Sequence, residues 1–257
     1  MAQQLINLNA DLGEGFGAWR MGDDAALLQV VRSANIACGF HAGDPLQMAN
    51  TVAHAVKNDV SLGAHPSFAD LQGFGRRPMT LSQAELRAVV TYQVGALQAF
   101  AKAAGKTLSH VKPHGAMNNM ACADLTMATV IVTAVQQIDA QLIVLAPACS
   151  ALLQAAQQQQ ARYAIEVFAD RSYQDDGQLT PRAMEHAMVH GEQETVAHVL
   201  RMLEAGGIVA HSGKCLPTAI HSICVHGDNP QAVASATAVR GALQAAGYQL
   251  ARLDEMV

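Results

Sequence analysis

Apolar and polar positions follow two rhythms along this chain. Short strand-like segments at 5–9, 35–38, 60–64, 110–112, 142–145, 165–168 and 222–225 recur along the chain at the length of buried strands. Between them apolar residues recur every three or four positions. That spacing predicts helices over 23–32, 45–57, 82–104, 124–137, 148–158, 182–188, 192–205 and 230–246, each with one apolar face. A last strand-like stretch covers 249–253. Boundary signals agree with several of these elements. Asp44-Pro45 and Asn229-Pro230 each read as a capping residue followed by proline at the first helical position. Ser82 and Glu85 have the spacing of a capping box. Gly105 and Gly247 follow helical runs, as C-terminal stops do.

Seven or eight alternations of strand and helix in 257 residues fit one β/α barrel, with an open doubly wound sheet as the alternative. Nothing reads as an interdomain linker and no repeat recurs, so residues 1–257 are expected to form a single β/α barrel domain. In either fold, loops and helix N-termini converge at the carboxyl ends of the strands, and ligands bind there.

Composition narrows the classes. Hydrophobic residues make up 51% of the chain and charged ones 14%, which suits a packed globule and not a disordered chain. The net charge of −5, with basic residues scattered, gives no electrostatic footprint for nucleic acid. The N-terminal residues show no charged segment followed by an apolar one, and no apolar run is long enough to span a bilayer; neither a signal peptide nor a membrane anchor is expected. The five cysteines include no Cys-x-x-Cys pair and are odd in number. Reduced thiols in a cytoplasmic protein are the expectation.

Candidate chemistry collects just after the strands. The exits carry Asp11 and Glu14, His41 and Asp44, His65, Arg76 and Arg77, Lys112 and His114, Asp170 and Arg171, and His226 and Asp228. Four of the eleven histidines thus fall on strand exits. Histidine with carboxylate supplies acid–base pairs or metal ligands, and Lys or Arg stabilises developing anions or holds carboxylate and phosphate. Asp11, His41 and His65 could form a set of two histidines and one carboxylate around a divalent metal, or activate water directly. Cys38 reads either as a small buried thiol or as a nucleophile beside His41. Lys112 reads either as a surface lysine or, wedged between a strand and Pro113-His114, as one that points at the ligand. Arg76-Arg77 reads as solvated charge or as an anion clamp.

Three motifs fail on inspection. Gly13-x-Gly15-x-x-Ala18 imitates a dinucleotide fingerprint, yet Glu14 would face the pyrophosphate and no acid ends the second strand. Gly213-Lys214 lacks the Ser/Thr and the glycine spacing of a phosphate-binding P-loop. Glu185-His186-x-x-x-His190 is not in the order of a zinc protease, and reads as a helix face with two exposed histidines. His54 and His198 are likewise expected on helix surfaces.

Longer segments carry a resemblance. Residues 7–14 (NLNADLGE), 35–44 (NIACGFHAGD), 63–67 (GAHPS), 73–77 (GFGRR), 112–115 (KPHG), 166–171 (EVFADR) and 224–228 (CVHGD) are similar to the LamB/YcsF family, from the first strand to the last helix. One departure is that Met117 and Asn118 stand where that family commonly has Leu-Tyr. The resemblance implies an irregular, seven-stranded-like β/α barrel of the glycoside hydrolase/deacetylase type. It also implies a subunit of a 5-oxoprolinase, working with subunits B and C, that couples ATP hydrolysis to opening 5-oxoproline to L-glutamate. A five-membered lactam is a stable amide, and phosphorylating its oxygen explains the need for ATP as co-substrate. On that reading Asp11 with His41 or His65 serves as base, Lys112 stabilises the oxygen or phosphoryl group, His114 or His226 donates the proton, and Arg171 holds the substrate carboxylate. The remaining positions, Glu14, Asp44, Arg76, Arg77, Asp170 and Asp228, would bind substrate or phosphate. No ATP loop is recognisable, so phosphorylation would lie partly in the partner subunits. Two other classes stay open. One is a stand-alone metal-dependent hydrolase or deacetylase acting on a sugar or amide; the other is a non-catalytic ligand-binding subunit.

Overall fold

Seven parallel strands close on themselves in the computed structural model, which describes residues 4–226 and 231–257. They are β1 (Gln4–Leu12), β2 (Ser33–Ala37), β3 (Ser61–His65), β4 (His110–Val111), β5 (Ile143–Pro147), β6 (Tyr163–Phe168) and, after a short hairpin, β9 (Ser222–His226). Each pairs with the next, and β9 closes the ring by pairing with β1 from Asn7↔Ser222 to Asp11↔His226. The hairpin is β7 (Gly207–Val209) with β8 (Cys215–Pro217). The first residues of β1 pair instead with β10 (Tyr248–Leu250). Because the barrel strands run in parallel, their carboxyl ends share one rim, and the predicted exits meet there.

Helices surround the ring: α1 (Asp24–Leu27), α2 (Pro45–Lys57), α3 (Gln83–Ala103), α4 (Gly115–Ala123), α5 (Leu125–Ile138), α6 (Ala151–Gln158), α7 (Glu192–Ala205) and α8 (Ala232–Ala245). In α3 the buried residues Leu86, Val90, Val94, Leu97 and Ala101 lie three or four apart, one stripe of a 3.6-residue period. Burying a leucine or valine of such a stripe stabilises by about 1.5–3 kcal/mol. Ser82 and Glu85 form the capping box their spacing predicts. Among the described residues no single helix is long and apolar enough to cross a membrane. Helices α4 and α5 reach that length only together, and the chain bends by 118° between them.

Some elements differ from expectation. The helix at 23–32 shrinks to the four residues of α1 followed by turns, and α4 and the β7–β8 hairpin were not foreseen. No helix forms at 182–188. There the Arg171 guanidinium donates to the carbonyls of Thr180 (2.7 Å) and Ala187 (3.3 Å), and Met188 bridges to Arg171. A buried cation that needs carbonyl acceptors draws this stretch against the loop after β6, and that outweighs the weak helical preference of seven residues. The predicted caps at Asn229-Pro230 and the candidate Asp228 lie outside the described residues.

The barrel lumen is polar. Along β1, Ile6, Leu8, Ala10 and Leu12 alternate with Asn7, Asn9 and Asp11, and all are buried, as a strand with two buried faces requires. The polar set contacts strands that are not its neighbours, which only the lumen permits. Asn9 donates to Glu166 on β6 (2.9 Å), and His110 on β4 meets Asn35 on β2 (2.9 Å). Gly63 makes room for that ring, since a Cβ there would lie 2.0 Å from His110 Nε2.

Candidate active site

At the top of the lumen the strand exits deliver their charges to one point. Lys112, leaving β4, is buried and places Nζ 2.9 Å from Asp11 Oδ1, 3.2 Å from Glu166 Oε1 and 3.0 Å from Cys224 Sγ. Burial works against its charge, but the Asp11 carboxylate, Cys224 and Glu166 beside it outweigh that and hold the ammonium well above its ordinary range. Burial likewise opposes ionisation of Asp11, yet His65 and Lys112 hold its carboxyl well below the usual range. Asn35 Nδ2 donates to the same Oδ1 at 2.8 Å, so Oδ1 is committed and Oδ2 turns outward. Glu166 shows the opposite balance: burial raises its pKa and Lys112 only partly offsets it.

Two groups flank this pair. On one side His226 Nδ1–H donates to Asp170, 2.8 Å from both carboxylate oxygens. Its Nε2 lies 4.0 Å from Asp11 Oδ2. Burial disfavours the imidazolium, but Asp170 raises the His226 pKa above the ordinary value. On the other side His41, His65 and His114 pack ring on ring: His41 stacks on His114 with centroids 3.9 Å apart, and His65 meets both edge-on. His65 Nε2 is 3.3 Å from Asp11 Oδ2, and Glu14 Oε1 is 3.5 Å from His41 Nε2 and 3.6 Å from His114 Nδ1. Burial pushes both His41 and His114 well below the ordinary histidine range, so these two rings are neutral. Two clusters of ligand-type side chains could hold a metal: Glu14, His41, His65 and His114, and Asp11, Cys224 and His226.

A cleft of about 540 Å³ opens over this floor, reached by Asp11, His65, Lys112, His114 and His226, with Arg76, Arg171 and Arg182 on its walls. An arginine-walled cleft over a lysine suits an anionic ligand. Burial lowers the Arg171 pKa to about 10, which leaves it charged at neutral pH.

The remaining candidates have other partners. Asp44 accepts from the backbone N–H groups of Leu46, Gln47 and Gly17, capping α2. Arg77 is tied to the Asp70 carboxylate, while Arg76 stands over the Phe74 ring, 4.9 Å from its centroid, at the cleft wall. The Cys38 thiol donates to Ile36 carbonyl and is pushed up to about 12 by burial, which makes it a structural thiol. His54 is exposed as expected, but His198 is half-buried and stacks on Tyr173 at 6.3 Å. His186 and His190 are exposed, though not on a helix.

Sequence reasoning passed over Asn35, Phe74, Glu166 and Arg182. Asn35 and Glu166 sit inside strands, away from the exits, and their signal was a polar residue in an otherwise apolar strand. Phe74 has φ +54°, an uncommon conformation for a bulky residue. Its carbonyl accepts from His114 Nε2–H at 2.9 Å, and its ring meets His41 and His114 edge-on.

Comparison with known proteins establishes the family and the fold. The chain is 59% identical over 251 residues to a protein of Azoarcus sp. (strain BH72) named as the A component of 5-oxoprolinase, covering 98% of each chain. It superposes with TM-score 0.91 on the crystal structure of a lactam utilization protein from Thermus thermophilus, at 40% identity, covering 97% of this chain and 100% of that one. The fold alone is shared with the catalytic domain of a peptidoglycan N-acetylglucosamine deacetylase from Eubacterium rectale, with TM-score 0.51, 12% identity and coverage of 98% and 89%. The barrel is therefore of the deacetylase type. The LamB/YcsF family profile matches residues 6–257, and the chain belongs to the LamB/YcsF family.

Proposed function

We propose that this chain is the ring-opening component of an ATP-dependent 5-oxoprolinase, acting with subunits B and C to convert 5-oxoproline to L-glutamate. The names of its relatives supply the substrate class. The observation that carries the chemistry is the buried Lys112–Asp11 pair on the floor of an arginine-walled cleft, with His226 beside it.

ATP phosphorylates the lactam oxygen, which makes the ring carbon electrophilic. Water then adds to that carbon and loses a proton to Asp11 Oδ2, the oxygen that Lys112 and Asn35 leave outward. Lys112 stabilises the charge on the carbonyl and phosphoryl oxygens in a site shielded from bulk water. The C–N bond breaks as the ring nitrogen takes a proton from His226, whose raised pKa and Asp170 partner suit a general acid. The acyl phosphate left behind is hydrolysed by a second water, releasing phosphate and the γ-carboxylate. His114 is a poor donor, because its Nε2–H is committed to the Phe74 carbonyl. Arg171, with Arg76 and Arg182, holds the α-carboxylate and the phosphoryl group. The phosphate-binding surface for ATP extends into the partner subunits.

The test is ATP-dependent glutamate release from 5-oxoproline by subunits B and C with and without this chain. Asp11→Asn is expected to lower turnover by about 10²–10⁴-fold and Lys112→Met by about 10²–10³-fold. Full turnover with the Asp11→Asn chain would reduce it to a ligand-binding role. ATP-independent hydrolysis of amides or acetyl sugars by the chain alone would favour the deacetylase reading.

A further inference from the structure

His110, on β4, is a fully buried titratable side chain that the ring-opening steps leave unused. It abuts a closed circuit of hydrogen bonds beneath the Lys112–Asp11 pair. Lys112 Nζ lies 2.9 Å from Asp11 Oδ1 and 3.2 Å from Glu166 Oε1. Asn9 Nδ2 donates to that Glu166 oxygen (2.9 Å) and to Ser222 Oγ (2.7 Å). Asn35 Nδ2 donates to Asn9 Oδ1 (2.7 Å) and to Asp11 Oδ1 (2.8 Å), which closes the circuit.

The direction of the circuit follows from donor chemistry. A carboxylate oxygen only accepts, so the nitrogen of Asn35, and not its oxygen, faces Asp11. Both hydrogens of that amide are then engaged, and its oxygen is turned to His110 Nε2 at 2.9 Å. An amide oxygen also only accepts, so His110 carries a proton on Nε2. Its Nδ1 lies 2.6 Å from Ser109 Oγ. Burial pushes the His110 pKa down to about 3, with Lys112 and His65 acting the same way and Asp11 against them. The imidazole is therefore neutral, and Nδ1 accepts from the Ser109 hydroxyl.

We propose that His110 is a positioning residue for the Lys112–Asp11 pair, and that its Nε2–H holds Asn35 and, through Asn35, both carboxylates that grip the lysine. A donor on the Asn35 oxygen polarises the amide and strengthens what its own N–H groups donate, as hydrogen bonds in a dry chain reinforce one another. One branch ends on Asp11 Oδ1; the other runs through Asn9 to Glu166 Oε1. Asp11 Oδ1 thereby stays committed. Oδ2 is left to face His65 Nε2 at 3.3 Å and His226 Nε2 at 4.0 Å. His110 does not line the cleft, so it acts on the reaction only through Asn35. This role rests on the lactam-opening reading, whereas the Nε2–H contact rests on geometry.

The test compares the full wild-type chain with His110→Met, which has no N–H, and His110→Gln, which carries one at about the reach of Nε2. Each is assayed with subunits B and C at saturating ATP, and denaturant unfolding confirms that the protein assayed is folded. His110→Met should lower kcat about 10–10²-fold, the size of a small misplacement of catalytic groups. KM for 5-oxoproline should stay within about twofold, because the arginines that hold the substrate are untouched. His110→Gln should recover most of the lost kcat. Nitrogen NMR of the wild-type chain, assigned by the signal that His110→Met removes, should show His110 protonated on Nε2 and bare on Nδ1 at neutral pH. The Asn35 side-chain N–H signals should shift in His110→Met and return in His110→Gln. Three outcomes would overturn the proposal: a wild-type imidazole protonated on Nδ1 alone, an unchanged kcat in folded His110→Met, or equal losses in Met and Gln variants. Absence of glutamate release with the wild-type chain would overturn the lactam-opening reading instead. The NMR signature would then decide by itself whether His110 holds Asn35.

Discussion

Lys112 holds a fixed charge because three groups on other strands face it, and His226 holds a variable one because Asp170 does. Asp170 raises the His226 pKa against the effect of burial. The stability this pair contributes is therefore fully present below the ordinary histidine value of about 6.5 and is lost as pH rises through the raised folded value. Replacing Asp170 with Asn removes the opposing carboxylate and leaves burial to dominate, so the His226 pKa should drop below the ordinary value. NMR titration of the ring protons reads this directly; an unchanged midpoint would remove Asp170 from the account and with it the case for His226 as general acid. At this scale the sequence was informative for Asp11, Lys112 and Asp170, charged residues that follow strands and meet one another or His226. It was silent on Glu166 and Asn35, whose importance comes from what faces them across the lumen and not from their neighbours in the chain.

The loop at 73–77 shows how an element can be legible in composition and illegible in form. The structure gives the reason for one of its glycines. Gly75 has φ +65°, and a Cβ there would lie 2.3 Å from Ser67 Oγ, 2.8 Å from His41 Cβ and 2.9 Å from His114 Cδ2. The loop is pressed onto the histidine cluster and delivers the Phe74 carbonyl to His114. Gly75→Ala should therefore cost at least about 1–2 kcal/mol in backbone strain alone, measured by denaturant unfolding. The stretch at 182–188 is the converse case. Its spacing suggested a helix, but seven residues cannot outweigh the need of the buried Arg171 for carbonyl acceptors. Helix α4 escaped notice because Gly115 and Asn118 break the apolar rhythm of a segment whose buried positions include Asn118 itself.

Across the whole molecule the polar lumen is the feature that joins fold to site. Asn35 donates to Asn9 (2.7 Å) and to Asp11 (2.8 Å), and accepts from His110 (2.9 Å), tying three strands through the barrel interior. Asn35→Leu would leave these partners buried and unsatisfied, at about 1–3 kcal/mol each. A loss of at least about 3 kcal/mol in chemical denaturation is expected, together with reduced turnover from a misoriented Asp11. A stability change within about 0.5 kcal/mol, the range of a neutral surface substitution, would mean that water replaces the network without cost.

The alternation of strand-like segments and helical periods was enough, by itself, to determine a β/α architecture and to point to the strand exits as the place for a site. Period and capping are local properties, and parallel strands must bring their carboxyl ends to one rim. The longer motifs added the family. Closure at seven strands was decided only in three dimensions, because it depends on β9 pairing with β1 across more than two hundred residues. So was the direction of His114, whose Nε2–H is held by the Phe74 carbonyl from another element. The division of the candidates also came from tertiary contact: Asp44 went to a helix cap and Arg77 to Asp70, while Asp11, His65, Lys112, His114 and His226 reached the floor of the cleft. A residue type fixes what a side chain can do; the groups that surround it after folding fix what charge, proton and direction it has.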